Sequence, residues 1–453
     1  MAETDNRNAT DWDLIGCTIK SQNGTTIDLS TKLIQFDYFE SLERLNPVAK
    51  IMFNDQKTEM TVTEGDEVRV LLKTSAHSDD EIEHIFFVEK IAQTTTDGAT
   101  NYTCNLVTKE SKVISEYTAK KSYRGPGAKI LQEVFDDSGY GTTVQLVADS
   151  NKPYNPLVID GAKRKLPMIA YDVVTQSIPE SGKGKNTCGY FLWGTKKNLN
   201  TGFNCHFKSI DSLLSVGAPH NGADHEYSYY QATEAASLDM PNQLIIKSFQ
   251  ITNRGNFKKM ADQGVFLANM LITDLDKKKY KEKKWNITEH WSDWGHIAQT
   301  EGSPPWRHNG FLKEHVEKEE ASKTFVIELS HERYHDKEEP AASDSKKDGQ
   351  SQAADFQDWD ADTVVQYKAR RATMGINVSN VVVPGNQNLN AGDKIKLYLR
   401  DSAPDAVIGP DGYSKEHSGH YLIYKIRHVY ANIPKKECWT MATLVRDTIN
   451  KNC

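Results

Sequence analysis

One strand-rich signature occurs twice in this chain, with its elements in the same order each time. The first copy runs Gly65-Asp66-Glu67-Val68-Arg69-Val70-Leu71-Leu72, then Phe87-Val88-Glu89-Lys90-Ile91, then Tyr102 to Glu110. The second runs Gly392-Asp393-Lys394-Ile395-Lys396-Leu397-Tyr398-Leu399, then Leu422-Ile423-Tyr424-Lys425-Ile426, then Trp439 to Asp447. Val68, Val70 and Leu72 alternate with Arg69, Leu71 and Lys73, and Ile395, Leu397 and Leu399 alternate with Lys394, Lys396 and Tyr398. A period of two buries mainly one face of a strand, and Gly-Asp supplies the turn before it in both copies. Two like β-domains in one chain give an assembly twice as many equivalent surfaces as it has subunits, which points to assembly rather than catalysis.

A chain of 453 residues exceeds what one core can hold, so two to four domains are expected. With 38% hydrophobic and 26% charged residues it can bury sizeable cores. A formal net charge of -7 argues against a protein built mainly to hold nucleic acid. The six cysteines (Cys17, Cys104, Cys188, Cys205, Cys438, Cys453) show no C-x-x-C spacing, so they read as reduced thiols packed like small hydrophobes. No basic region followed by an apolar run opens the chain, and no 18 consecutive residues are apolar, so neither a secretory signal nor a membrane span is expected.

Leu33 to Tyr38 and Val48 to Phe53 read as two further strands, and residues 1–115 form the expected first β-domain. The middle, 116–240, changes to an α+β insert. Ile130, Leu131, Val134 and Phe135 fall at helical spacing after Gly125-Pro126-Gly127, a second helix starts at Pro167, and Tyr190–Trp193 with Phe203–Phe207 form a hairpin. Residues 241–285, including the strand Gly264 to Asp274, are expected to open the second β-domain. An insertion at 286–362, rich in Trp and His and ending in a flexible charged loop, interrupts it, and 363–453 complete it. The fold class is mainly β, with two homologous antiparallel β-barrel-like domains flanking and interrupted by α+β insertions.

His331-Glu332-Arg333-Tyr334-His335 matches H-E-x-x-H, which on a helix holds zinc between two imidazoles with the Glu as base. Here a strand-like Thr324–Leu329 precedes it and Pro340 ends any helix promptly, so a solvated segment end is the favoured reading over a zinc-dependent hydrolase. The run Asp276 to Trp285 has lysines, Tyr280 and Trp285 in the pattern of a single-strand binder, yet interleaved acids favour a solvated hairpin end. Gly125-Pro126-Gly127-Ala128-Lys129 lacks P-loop spacing and does not clearly follow a strand. Trp285, Trp291, Trp294 and Trp306, with His290 and His296, line either a ligand groove or a packed or partner-facing aromatic cluster. No residue is assigned a catalytic, cofactor-binding or metal-binding role.

In order, Asp37-Tyr38-Phe39-Glu40-Ser41-Leu42, Ile51-Met52-Phe53-Asn54-Asp55 and Glu64-Gly65-Asp66-Glu67-Val68 resemble the first tube domain of the central baseplate hub proteins of contractile-tailed bacteriophages. Gly419 to Tyr430 is similar to the G-x-Y-L-I-x-x-V-x-H strand of phage hub and late-control proteins, and Phe207-Lys208-Ser209-Ile210-Asp211 fits that family's insert. The resemblance implies a non-enzymatic homotrimer without cofactors. Three subunits with two tube domains each would make six quasi-equivalent positions, matching a hexameric tail tube above and a trimeric central spike below. Sheet edges would pair between neighbouring domains, and DNA would pass through the lumen. Implied partners are tube or tube-initiator proteins and the spike, with tape-measure and wedge proteins beyond them. The implied place is the virion baseplate, assembled in the host cytoplasm. A hub of a type VI or other contractile injection system is the related alternative.

Overall fold

The computed structural model describes residues 10–56, 60–74, 81–96, 98–153, 155–180, 188–196, 202–215, 227–231, 242–253, 256–274, 279–297, 302–304, 306, 310–317, 323–329, 358–400, 413–414 and 416–450. Seven strands make the first β-domain: β1 (Trp12–Lys20), β2 (Thr26–Asp28), β3 (Leu33–Ser41), β4 (Val48–Asp55), β5 (Glu67–Thr74), β6 (Glu81–Thr96) and β7 (Ala99–Val107). They are antiparallel neighbours in the order β3-β4-β7-β6-β5-β1-β2. Val68, Val70 and Leu72 are fully buried with Phe36, Ile51, Phe53 and Cys104, as their alternation requires.

The insert follows with α1 (Glu110–Glu116), β8 (Tyr123–Pro126), α2 (Gly127–Ser138), β9 (Val144–Ala148), β10 (Pro156–Ile159), α3 (Leu166–Gln176), β11 (Tyr190–Lys196), β12 (Phe203–Ser209) and α4 (Ile210–Leu214). Ile130, Leu131, Val134 and Phe135 of α2 meet Ile169 and Val173 of α3 in one core. The expected hairpin is the antiparallel pair β11–β12, and β9 adds in parallel to β12. One expectation fails here. The Gly125-Pro126-Gly127 turn does follow a strand, β8, which pairs with β10.

The second β-domain contains β13 (Tyr227–Gln231), β14 (Ile245–Ile246) and β15 (Ser248–Asn253), followed after a long gap by four closing strands. In that gap lie β16 (Leu267–Asp274), β17 (Lys279–Asn286), β18 (Gly302–Ser303) and β19 (Thr324–Leu329), and then the long helix Asp358–Met374. The closing strands are β20 (Asn377–Pro384), β21 (Lys394–Tyr398), β22 (Gly419–Ala431) and β23 (Glu437–Arg446), with the short β24 (Ile449–Asn450) paired to β18. Their order β15-β20-β23-β22-β21-β13 repeats the first domain's β3-β4-β7-β6-β5-β1. The last pair differs in sense: β13 joins β21 in parallel, whereas β1 joins β5 antiparallel.

The repetition extends to single hydrogen bonds. Gly65 N donates to Val88 O (2.8 Å) and Val88 N to Asp66 O (2.9 Å), while Gly392 N donates to Ile423 O (2.9 Å) and Ile423 N to Asp393 O (2.9 Å). The aspartate Oδ2 accepts from Thr63 N at 2.8 Å in one turn and from Asn390 N at 2.7 Å in the other. A bulge follows in each copy, between Val88 and Lys90 and between Ile423 and Lys425. This register shifts the third strands by one residue from an end-to-end reading of the two runs. Tyr102 is equivalent to Thr440 rather than Trp439, and Leu106 to Leu444, both buried.

The strand Gly264 to Asp274 does not belong to the second β-domain's sheet. β16 is the centre of a separate sheet, β17-β16-β19, whose core holds Met270, Ile272, Trp285, Trp291, Trp294 and Trp306 together with Val365 and Ala369 of the long helix. In chain order the repeated domain opens with β13, inside the span expected as insert, and the counterpart of β3 is β15, whose register on β20 matches that of β3 on β4.

Candidate assembly surface

The two β-domains are joined by one strand that serves both. Gly419 to Leu422 of β22 pair with β21. Beyond the bulge the same edge, Lys425 to Ala431, pairs with Ser41 to Gln35 of β3, while the opposite edge stays on β23. The bulge permits this exchange because an extra residue bends the strand away from its first partner. Below the seam Tyr430 packs against Phe36 and Trp12, with ring centroids 6.1 and 5.4 Å away. Trp12 Nε1 donates to Ala431 O at 2.9 Å.

A buried polar network closes the seam and brings in the insert. Glu40 of β3, 2% exposed, accepts from Tyr38 OH (2.8 Å) and Lys196 N (3.0 Å) through Oε1 and from Ala391 N (2.9 Å) through Oε2. Burial raises its pKa, opposed by those N–H groups and by the Lys196 charge. Desolvation lowers Lys196 to about 8, against the pull of Glu40, and its Nζ donates to Gln387 O. Burial raises Asp393 to about 7, with the nearby Glu40 charge adding to the rise. His428 is held neutral by burial. Its Nε2 faces Leu389 O at 3.1 Å and must carry the proton, so Nδ1 accepts from Thr440 Oγ1 at 3.1 Å. Trp193 Nε1 donates to Ala391 O at 2.8 Å and its ring fills the space beside Gly392. Residues of the first β-domain, the insert and the second β-domain thus share one network, the chemistry of a rigid joint.

On the opposite face of the seam lies an open groove of ≈ 860 Å³ spanning both β-domains, with Phe39, Lys50, Glu89, Gln250, Lys425 and Arg427 on its walls. Arg427 Nη2 bonds Asp37 Oδ2 at 2.8 Å, and Lys425 lies 3.3 Å from Glu43. Its charges are mixed and partly paired, and nothing in it resembles a nucleophile with its base.

The motifs singled out by sequence resolve differently. His331, Glu332 and His335 lie outside the described residues, as does the charged stretch after them. Among the described residues no cluster of three His, Cys, Asp or Glu is placed to hold a metal. At Gly127 a Cβ would run into Ser177 Oγ and Val173 Cγ1, so this glycine serves close packing of α2 on α3. Lys279 to Trp285 form β17, and Trp285 is buried, stacked on His290 at 4.3 Å. The tryptophans therefore make a core rather than a groove. The insertion is docked by Gly295 N to Asp211 Oδ1 (2.9 Å), by the Arg370–Asp211 pair (2.7 Å) and by His296 Nδ1 with Asp447 Oδ2 (2.7 Å). Cys17, Cys104, Cys188, Cys205 and Cys438 are buried free thiols, and Cys453 is outside the described residues. No helix among the described residues is long and apolar enough to cross a membrane.

Sequence reasoning missed the seam, although β22 carried a signal: at 13 residues it extends well past the 5 of its neighbour β21.

No family model and no curated protein matches the chain. Solved structures do. The 43 kDa tail protein of prophage MuSo2 from Shewanella oneidensis superposes with a TM-score of 0.51 at 10% identity, over 95% of this chain and 98% of that one. The tail protein from Neisseria meningitidis MC58 gives 0.49 at 8%, over 97% and 98%. The E. coli c3393 protein, a component of the type VI secretion system, gives 0.42 at 8%, over 96% and 76%. With its duplicated β-domains, α+β insert and end-to-end superposition on the MuSo2 protein, the chain has the fold of a phage tail protein.

Proposed function

We propose that the chain is the structural baseplate hub of a contractile phage tail. Three copies form a ring in which six like β-domains face a hexameric tube on one side and a trimeric central spike on the other, leaving a lumen for DNA. The observation that carries this reading is the shared hydrogen-bond register of the Gly65 and Gly392 turns and the bulges after them. Two domains this alike in backbone can occupy alternating positions of one sixfold ring, and their different sequences allow a threefold object to be recognised as well. Tail tube or tube-initiator proteins and the spike are the proposed direct partners, with tape-measure and wedge proteins beyond them. The ring does its work as a virion component, after assembly in the host cytoplasm, by shape and symmetry rather than by bond chemistry.

Sedimentation velocity and negative-stain imaging of the purified chain test the reading. The expected species is a ring of three times 51.1 kDa with sixfold features in projection. A chain that stays monomeric both alone and with its spike overturns it. Metal analysis separates the hydrolase alternative, which requires stoichiometric zinc that His331→Ala loses and that Glu332→Gln, the base variant, retains while losing cleavage activity.

A further inference from the structure

Helix α3 carries more apolar surface than its core needs. Leu166, Ile169 and Val173 turn into the core shared with α2. Pro167, Ala170, Tyr171 and Val174 follow the spacing i, i+3, i+4, i+7 and form a second stripe along the helix. That stripe floors an open groove of ≈ 400 Å³, walled on the far side by Leu45 after β3 and Ile114 of α1. Tyr171 is 57% exposed, and Met168, one turn before it on the same side, is 53% exposed. A surface helix ordinarily turns polar side chains away from its core stripe, so two large apolar ones beside a groove mark a contact surface.

The charges around the groove are positive in excess. The Glu43 carboxylate is taken up within the chain by Tyr424 OH (2.7 Å), Arg371 Nη2 (3.2 Å) and Lys425 Nζ (3.3 Å). Arg44 on the rim is exposed, and its guanidinium makes no hydrogen bond or ion pair among the described residues. Lys165, at the start of α3, donates to the carbonyls of Ser115 (2.7 Å) and Glu116 (3.3 Å) and meets no carboxylate among the described residues.

We propose that this groove holds an amphipathic helix of a partner protein, with aliphatic side chains on the α3 stripe and carboxylates toward Arg44 and Lys165. Helix-in-groove docking uses anchors at i, i+3 or i+4, and i+7, the spacing that α3 itself offers. A second copy of this chain is a poorer occupant. Its other exposed large hydrophobics, Ile15, Ile85, Val326, Val364 and Ile433, stand singly on three strands, the long helix and a turn. Among the described residues no other helix presents two of them. The site is complete within one chain and does not depend on the trimeric ring.

Anisotropy of fluorescein-labelled synthetic helices added to the full chain tests it. The probe is a peptide of about four helical turns with Leu at i, i+3, i+4 and i+7 and Glu on its other face. One control carries Lys in place of Glu, and the other scrambles the leucines. The acidic helix is expected to bind one to one, at least about tenfold tighter than either control. Tyr171→Glu, Met168→Glu and, separately, Arg44→Glu, all at exposed positions, are each expected to weaken it by at least about tenfold. Arg44→Glu is also expected to narrow the preference over the lysine helix, and denaturant midpoints check that the variants fold. An acidic helix that does not bind, equal binding of all three helices, or binding that the folded variants leave unchanged overturns the proposal. Sedimentation of the same variants tests the other occupant. Self-association lost on Tyr171→Glu or Met168→Glu assigns the groove to a second copy and overturns the partner helix. A chain that stays monomeric yet binds the acidic helix loses the ring and keeps this site.

Discussion

The two β-domains share a backbone down to the hydrogen bonds of one turn, yet the turns face different surroundings. Gly65 has φ +90° and an added Cβ would meet the flexible end of Gln22. Gly392 has φ +92° and an added Cβ would sit 2.5 Å from the buried ring of Trp193. The first turn is a local device, and the second is also the place where the insert is clamped. Duplication has kept the strand geometry and specialised the neighbours. The edges show the same split, since β22 past its bulge is covered by β3, whereas the matching edge of β6 past its bulge has no strand partner among the described residues.

Equivalent positions in the two copies therefore respond unequally. Tyr430→Ala removes a buried ring from the seam and is expected to cost about 3–5 kcal/mol, while the equivalent Thr95→Ala stays within about 0.5 kcal/mol in denaturant unfolding of the unassembled chain. Comparable losses for the two would mean that the seam is not where the second domain differs. The insertion, present only in the second copy, is tested by Asp211→Ala, which strands Arg370, itself 1% exposed. A loss of about 3–5 kcal/mol is expected, with limited proteolysis attacking residues 257–376 before the first β-domain.

The glycines come next. Both substitutions to Ala carry the left-handed backbone penalty of about 1–2 kcal/mol, and Gly392→Ala adds an overpacking cost of about 1–3 kcal/mol against Trp193. Equal midpoint shifts for Gly65→Ala and Gly392→Ala would contradict the clamp. The smallest effect is a slope. Asp393 is raised to about 7 from its ordinary 3.8, so the folded state holds a proton that the unfolded state releases between those values. Stability from this group is full below about pH 4 and falls as pH rises toward 7. Asp393→Asn is expected to flatten that part of the pH profile, measured by urea midpoints, while Asn390 N keeps an acceptor.

Where local chemistry dictates structure, the sequence was readable. Gly-Asp turns, alternating strands and the helical spacing of Ile130, Leu131, Val134 and Phe135 depend on residues close in the chain. Assigning the Gly264 to Asp274 strand to the second β-domain has a physical cause. β16 is a central strand buried in its own small core and reads as a strong apolar run, whereas β15, with one edge unpaired among the described residues and several exposed positions, reads weakly. The joint was hidden for another reason. Glu40, Lys196, Ala391 and His428 meet only because β3 and β22 pair, and no local pattern encodes a contact across most of the chain's length.

That separation sets a timetable for the growing chain. Asp37 and its partner Arg427 are 390 residues apart, and Trp12 waits still longer for Ala431. At roughly 5–20 residues per second, β3 leaves the ribosome roughly 20–80 s before the strand that covers it. During that interval β3 stands without the strand that covers it in the finished fold. Correct folding then requires that this edge stay free of other strands until β22 of the same chain reaches it.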